Sequence, residues 1–211
     1  MGNSANIVDV GELYSTFATL GTRFGTKNDS SQIIEPTLFT VITTVDHRTL
    51  YQHETIDSQL VVSPQLAYLV HDVLQDEYNR RQSLGYPNLL EIGRPAGAKF
   101  GTNQSQEEIW TAGYTPQFTT VVWLGQEPGD PTALNPTIAA GVWYALMQQL
   151  HQELPIENWQ KPAGITEKEV CSLSGLLPTR KCPETVVEKF IDGTQPVNVD
   201  NLFRSYKINR E

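Results

Sequence analysis

The chain has 211 residues, 39% of them hydrophobic, enough for one good-sized domain with a substantial core and a small appendage. A formal net charge of −9 and an isoelectric point near 4.9 leave no basic cluster to neutralise phosphates, which argues against a nucleic-acid partner. The longest strongly apolar run, Ile138 to Met147, is about half of the roughly 20 residues of a spanning helix, and Met1-Gly2-Asn3-Ser4 has neither the basic start nor the apolar core of a secretory signal.

From Val8 to Leu20, apolar residues at Val10, Leu13, Tyr14 and Phe17 follow the three-and-four spacing of an amphipathic helix. Leu38 to Val45 is rich in β-branched residues, and Thr49-Leu50-Tyr51 follows the polar break Asp46-His47-Arg48, which predicts a hairpin with His47 and His53 as solvent-facing strand residues. Ser63-Pro64 is a helix start, a capping hydroxyl followed by a proline whose missing N–H costs nothing in the first turn. The stripe Leu66, Val70, Val73 and Leu74 carries that amphipathic helix to about Arg81, and Ser83 to Ile92 reads as a loop.

Three extended segments come next. One ends at Lys99-Phe100-Gly101-Thr102, and two more, Glu107 to Thr115 and Phe118 to Leu124, flank Pro116-Gln117 at the spacing of an antiparallel hairpin. The first offers a cation, a hydroxyl and a backbone open to close approach at Gly101, which suits an extended, carboxylate-bearing ligand. The same residues also read as a surface lysine beside a bulge glycine. Phe118 to Leu124 is apolar on both parities, as in a central strand covered on two sides. Gln126 to Thr132 is a turn-rich loop, Asn135-Pro136 repeats the capped start, and Ile138 to Leu150, apolar nearly all round, predicts a buried helix against the sheet. The expected fold class is α+β, an antiparallel sheet packed with helices. From Pro155 onward the composition shifts to proline, glycine and mixed charge, so residues 1–154 are expected as one domain and 155–211 as a tail wrapping its surface. Cys171 and Cys182 lie in that tail, where a disulfide and two free thiols both fit. His47, His53, His71 and His151 are scattered away from the cysteines, so no metal is expected, and no cofactor motif is present.

The ordered string Ala96-Gly97, Lys99, Gly101-Thr102, Trp110, Gly113-Tyr114-Thr115-Pro116 and Val122-Trp123-Leu124-Gly125 resembles the third conserved region of the penicillin-binding serine acyltransferases, with its A-G-K-T-G-T-T, W-x-x-G-Y-T-P and V-W-x-G elements. Asp9, Tyr14 and Phe17-Ala18 resemble an earlier helix of that family, and Ser63, Pro64, Ala67, Tyr68 and Leu69 its S-P-x-x-A-Y-L helix. Cys171, Ser174, Gly175, Cys182, Pro183, Phe190, Gly193, Thr194 and Pro196 are similar in order to the tail after the transpeptidase domain of bifunctional, transglycosylase/transpeptidase members. That likeness to extracytoplasmic tails implies a Cys171–Cys182 bridge. The resemblance of the central string implies substrate binding by Lys99, Phe100, Gly101 and Thr102, with the Thr102 N–H in the oxyanion hole.

Two departures bear on activity. No S-x-x-K occurs, so the nucleophile of the family lies outside this chain, and the Ser4-Ala5-Asn6 match to S-x-N abuts the first helix instead of lying well upstream. Phe100 stands where the family has a threonine, and Ala98 reads as an insertion that reverses side-chain facing unless a bulge absorbs it. Two functions are compatible with this. One is a fragment of a D,D-transpeptidase that cross-links peptidoglycan stem peptides through an acyl-serine, inactive alone. The other is a degenerate, non-catalytic binding or assembly module of a cell-wall complex. The expected partners are a stem peptide or β-lactam and the rest of the parent chain, at the extracytoplasmic face of the bacterial membrane.

Overall fold

The computed structural model describes residues 5–28, 32–53, 55–127 and 133–205, so Ser4 and most of the 126–132 loop lie outside the described residues. Helix α1 (Ile7–Ala18) starts in a capping box: Asn6 Oδ1 accepts from the Asp9 N–H at 2.9 Å and Asp9 Oδ2 from the Asn6 N–H at 3.2 Å. The asparagine of the S-x-N match is therefore engaged as a helix cap.

Five short strands follow: β1 (Thr22–Lys27), β2 (Ile34–Glu35), β3 (Val41–Thr43), β4 (Thr49–Gln52) and β5 (Asp57–Leu60). Strand β1 is the middle of an antiparallel sheet ordered β2-β1-β5, which TRFGTK does not announce because its side chains do not alternate apolar and polar. The predicted hairpin is the β3–β4 pair, but Leu38 to Thr40 stay outside the strand. His47 sits in the connecting turn at φ 62°, and His53 follows β4, its ring near the Tyr51 hydroxyl (3.1 Å) and Thr26 Oγ1 (3.3 Å). Neither histidine is a strand residue.

The long amphipathic helix expected after Ser63 is two helices, α2 (Pro64–Gln75) and α3 (Glu77–Leu84). Asp76 breaks it, at ψ 91°, because its carboxylate is bonded to the Asn79 N–H at 2.9 Å as the cap of the second helix.

The main sheet is β6 (Gly97–Thr102), β7 (Glu108–Tyr114) and β8 (Thr119–Gly125), in that order and antiparallel throughout. Among the described residues the central strand is β7, and β8 lies at an edge although helices cover both its faces. One face carries α1 and α2, and the other carries α4 (Pro136–Leu150). Helix α4 turns Ala139, Ala140, Trp143 and Met147 into a core with Leu90, Ala98, Ile109 and Val122. It is not buried all round: Ile138, Val142, Leu146 and Leu150, one per turn, are 41–51% exposed. Arg94 holds its far end, donating to the carbonyls of His151 (3.3 Å), Leu154 (3.2 Å) and Pro155 (3.3 Å).

Compactness divides the chain into residues 1–160 and 161–211. In the first, Trp159 is docked by its indole N–H on the Ala18 carbonyl (2.6 Å) and by its ring on His71 (3.9 Å between centroids). In the second, β9 (Ile165–Cys171) and β10 (Thr185–Ile191) form an antiparallel hairpin. Cys171 and Cys182 are bonded across 5.9 Å between Cα atoms. Asp200, buried, accepts from the N–H groups of Leu202 (3.4 Å) and Phe203 (3.3 Å) while its own N–H reaches the Leu177 carbonyl (2.7 Å). These bonds hold its carboxylate below the usual range, with Ser174 the largest cause.

Replacing both cysteines, Cys171→Ser with Cys182→Ser, is expected to destabilise the 161–211 unit by about 2–4 kcal/mol through lost loop closure. Urea unfolding followed at β9–β10 amides measures it, and an unchanged midpoint would exclude a stabilising role for the bridge.

Candidate functional site

Strand β6 has a free outer edge among the described residues, and its side chains alternate between two environments. Ala98 is buried and Phe100 half-buried against the α4-side core, while Lys99 is exposed on the opposite face, shared with Gly97 and Gly101. The pairing of β6 with β7 runs unbroken from Gly97–Tyr114 to Thr102–Ile109, so no bulge absorbs Ala98. Hence Lys99 and Gly101 are brought together, and Phe100 is turned away from them. The Lys99 ammonium bends round the edge, donating to the Phe100 carbonyl at 2.6 Å and lying 5.1 Å from the centroid of that ring. Thr102 is exposed, its hydroxyl donating to the Asn103 carbonyl (2.9 Å). Beside Gly101 there is open space: a Cβ there would meet nothing within 4 Å.

Two close approaches fix the strand. A Cβ on Gly97 would lie 2.6 Å from Tyr114 Cζ, and one on Gly113 2.5 Å from Trp143 Cζ2, so one aromatic ring lies against the backbone on each face of the β6–β7 pair. Tyr114 is fully buried, its hydroxyl 3.2 Å from His71 Nδ1 and its ring perpendicular to Trp159. Burial, with the nearby Tyr14 phenol, pushes its own phenol far above the ordinary value, so it stays protonated. The β7–β8 turn is latched to α4 by Thr115. His151 Nδ1 donates to the Met147 carbonyl (2.7 Å), leaving Nε2 to accept from the Thr115 hydroxyl (2.8 Å). That hydroxyl in turn accepts from the N–H groups of Gln117 (3.2 Å) and Phe118 (3.1 Å).

The segment leading into β6 is held by charge. Arg81 pairs with Glu91 at 2.7 Å and its guanidinium lies 4.5 Å over the Tyr86 ring. The hydrogen bonds from Arg81, and then from Asn88, hold the Glu91 carboxyl below its ordinary 4.5, against the opposing effect of burial.

Composition did not point to the pair Trp110 and Trp123, whose rings are 6.1 Å apart on the Lys99 face with Trp123 45% exposed. The signal was present, since both stand six residues from the Pro116-Gln117 turn and a tight hairpin pairs equidistant residues. The His71–Tyr114–Trp159 cluster had no such signal, because its members are far apart in sequence. Ser4 lies outside the described residues, and no described serine has a lysine three places on.

A family model described as "Penicillin-binding protein 1A, C-terminal domain" matches residues 161–205. Penicillin-binding protein 1A of Clostridium tetani is 27% identical over 92% of the chain and 26% of its own length, and that of Clostridium novyi 28% identical over 99% and 25%. The chain thus spans about a quarter of the length of these curated relatives. The crystal structure of penicillin-binding protein 1A from Haemophilus influenzae superposes with a TM-score of 0.68 over 92% of the chain and 33% of that protein, at 21% identity, a likeness of fold. Residues 161–205 thus match the C-terminal domain of penicillin-binding protein 1A, and in fold and sequence the chain is similar over most of its length to part of that protein. Among penicillin-binding proteins its likeness is to the 1A type.

Gly97→Ala drives a methyl into the Tyr114 ring and is expected to cost about 1–3 kcal/mol in thermal or denaturant unfolding; a neutral effect would mean that Tyr114 does not lie on the strand. Because the Glu91 carboxyl titrates lower when folded than when unfolded, its contribution to stability is present above about pH 4.5 and fades as pH falls through the folded value. The denaturation midpoints of wild type and Glu91→Gln are therefore expected to differ near pH 7 and to draw together as pH is lowered below 4.5, and a constant difference would contradict this.

Proposed function

We propose that this chain supplies the substrate-holding strand and the supporting layers of a D,D-transpeptidase that cross-links peptidoglycan stem peptides through an acyl-serine, with the nucleophile outside the chain. The observation carrying the reading is β6: a strand whose outer edge is unpaired among the described residues and that presents a lysine and an uncrowded glycine on one face, as an extended carboxylate-ended peptide requires. Lys99 would meet the carboxylate, Gly101 would admit the reacting carbonyl, and the exposed Thr102 backbone would face the oxyanion. The relatives' name, penicillin-binding protein, fits a β-lactam as an alternative occupant of that strand. On this reading the parent works at the extracytoplasmic face of the membrane; no helix among the described residues is long and apolar enough to cross one.

The second reading, a degenerate binding or assembly module, draws on Phe100 in place of a hydroxyl residue. Its ring packs toward α4 and does not fill the open space beside Gly101, which favours the first reading. A lost hydroxyl weakens carboxylate capture without blocking it.

The purified chain incubated with fluorescent penicillin is expected to give no labelled band on a denaturing gel, since a serine without a neighbouring base is a weak nucleophile. A synthetic stem peptide should bind weakly and reversibly, with Lys99→Gln lowering its affinity about threefold to tenfold. A stoichiometric band lost in Ser4→Ala would place the nucleophile within this chain, and binding indifferent to Lys99→Gln would remove Lys99 from the site.

A further inference from the structure

Behind β6, on the side away from Lys99, lies a partly open cavity of about 290 Å³. Leu84 at the end of α3, Leu89 and Leu90 in the following loop, Phe100 on β6, and Pro136 and Ala140 on α4 form its apolar walls. No charged side chain lines it, and its two polar side chains, Asn88 and Thr137, are already bonded within the protein. Asn88 Nδ2 donates to the Gly85 carbonyl (3.1 Å) and to Glu91, and its Oδ1 accepts from the Leu90 N–H (3.1 Å). The Thr137 hydroxyl donates to Asn135 Oδ1 (2.9 Å).

We propose that this cavity is a binding site for a small, uncharged, apolar molecule about the size of one substituted aromatic ring or a short branched alkyl chain. Three physical points select that chemistry. Water needs two to four polar partners to settle, and here both polar side chains have spent their donors within the protein and offer acceptor lone pairs alone, so the space is poorly hydrated and favours an apolar occupant; a cavity of about 150 Å³ lined by apolar side chains already takes a benzene-sized molecule. A charged headgroup would be desolvated with nothing to pair it. An extended protein segment would bring backbone N–H and C=O groups that the lining side chains cannot satisfy.

The site also touches the recognition strand. Phe100 is the common wall, packed toward the core on the cavity side and with the Lys99 ammonium 5.1 Å from its ring. An occupant repacks the residue next to Lys99 without entering the face on which Lys99 stands. The binding site itself is independent of the transpeptidase reading.

An amide NMR titration of the whole chain with toluene, alongside benzoate and benzylamine, tests it. Saturable shifts centred on Leu90, Phe100 and Ala140 are expected for toluene, with the two charged analogues at least about tenfold weaker. Thr137→Phe, at an exposed position in the first turn of α4, fills the cavity and should abolish the toluene shifts while the rest of the spectrum keeps its dispersion. Leu84→Phe does the same from the opposite wall should the first variant lose its fold. The proposal is overturned by an absence of saturable shifts, by toluene shifts that survive both fillings, by benzoate binding as tightly as toluene, or by shifts centred on the exposed apolar residues of β3 and β4.

Discussion

The arrangement of the larger unit depends on two glycines that face each other's strands. Gly97 and Gly113 sit at adjacent rungs of the β6–β7 ladder with opposite facing, so a ring lies against the backbone on each side of the sheet: Tyr114 on one, Trp143 on the other. Steric exclusion contributes to this geometry, because a methyl group at either position would lie 2.6 Å or less from a ring atom and force the ring or the strand to shift. Through Tyr114 the sheet meets α1, α2 and the Trp159 segment, and through Trp143 it meets α4. The layers on both faces are thereby referred to the same two rungs, and Lys99 lies one position beyond them.

This placement gives the exposed strand a rigid base. Everything amino-terminal to Lys99 on β6 is buried, and everything beyond it is half-buried or exposed. The transition from packed to open sheet therefore falls at Lys99, the residue that the proposed function assigns to the carboxylate. The polar latches sit farther out: Thr115 with His151 at the β7–β8 turn, Arg94 at the end of α4, and Arg81 with Glu91 before β6. Each satisfies backbone or charged groups at the end of an element, where the ladder of hydrogen bonds runs out.

Alternation and turn spacing made the β6-β7-β8 meander legible, since consecutive extended segments joined by two to six residues pair as neighbours. They also made the cap of α4 and the start of α2 legible, because Asn135-Pro136 and Ser63-Pro64 act within a single turn. The break at Asp76 was less visible: its carboxylate competes with the helix for a backbone N–H, and apolar periodicity does not register that competition. The sheet around β1 was missed because its strands are short and bury few side chains, Ile34 chief among them, so no run of alternating apolar residues marks a buried face. Helix α4 looked uniformly apolar, and only its packing separates the inward row from the exposed ridge of Ile138, Val142, Leu146 and Leu150.

The sequence by itself determined the adjacency of the three main strands, the two capped helix starts and the motif string that resembles penicillin-binding proteins, because each rests on residues close along the chain. Tertiary structure alone decided which way Phe100 points, since its facing follows from an unbroken register with β7 that Ala98 does not interrupt. It alone assembled Tyr114, His71 and Trp159, whose contact requires the hairpin, α2 and the 155–160 segment to converge. It also decided where apolar surface stays open, because the same leucine or phenylalanine is core or cavity wall according to what packs against it, and no local pattern encodes that partner.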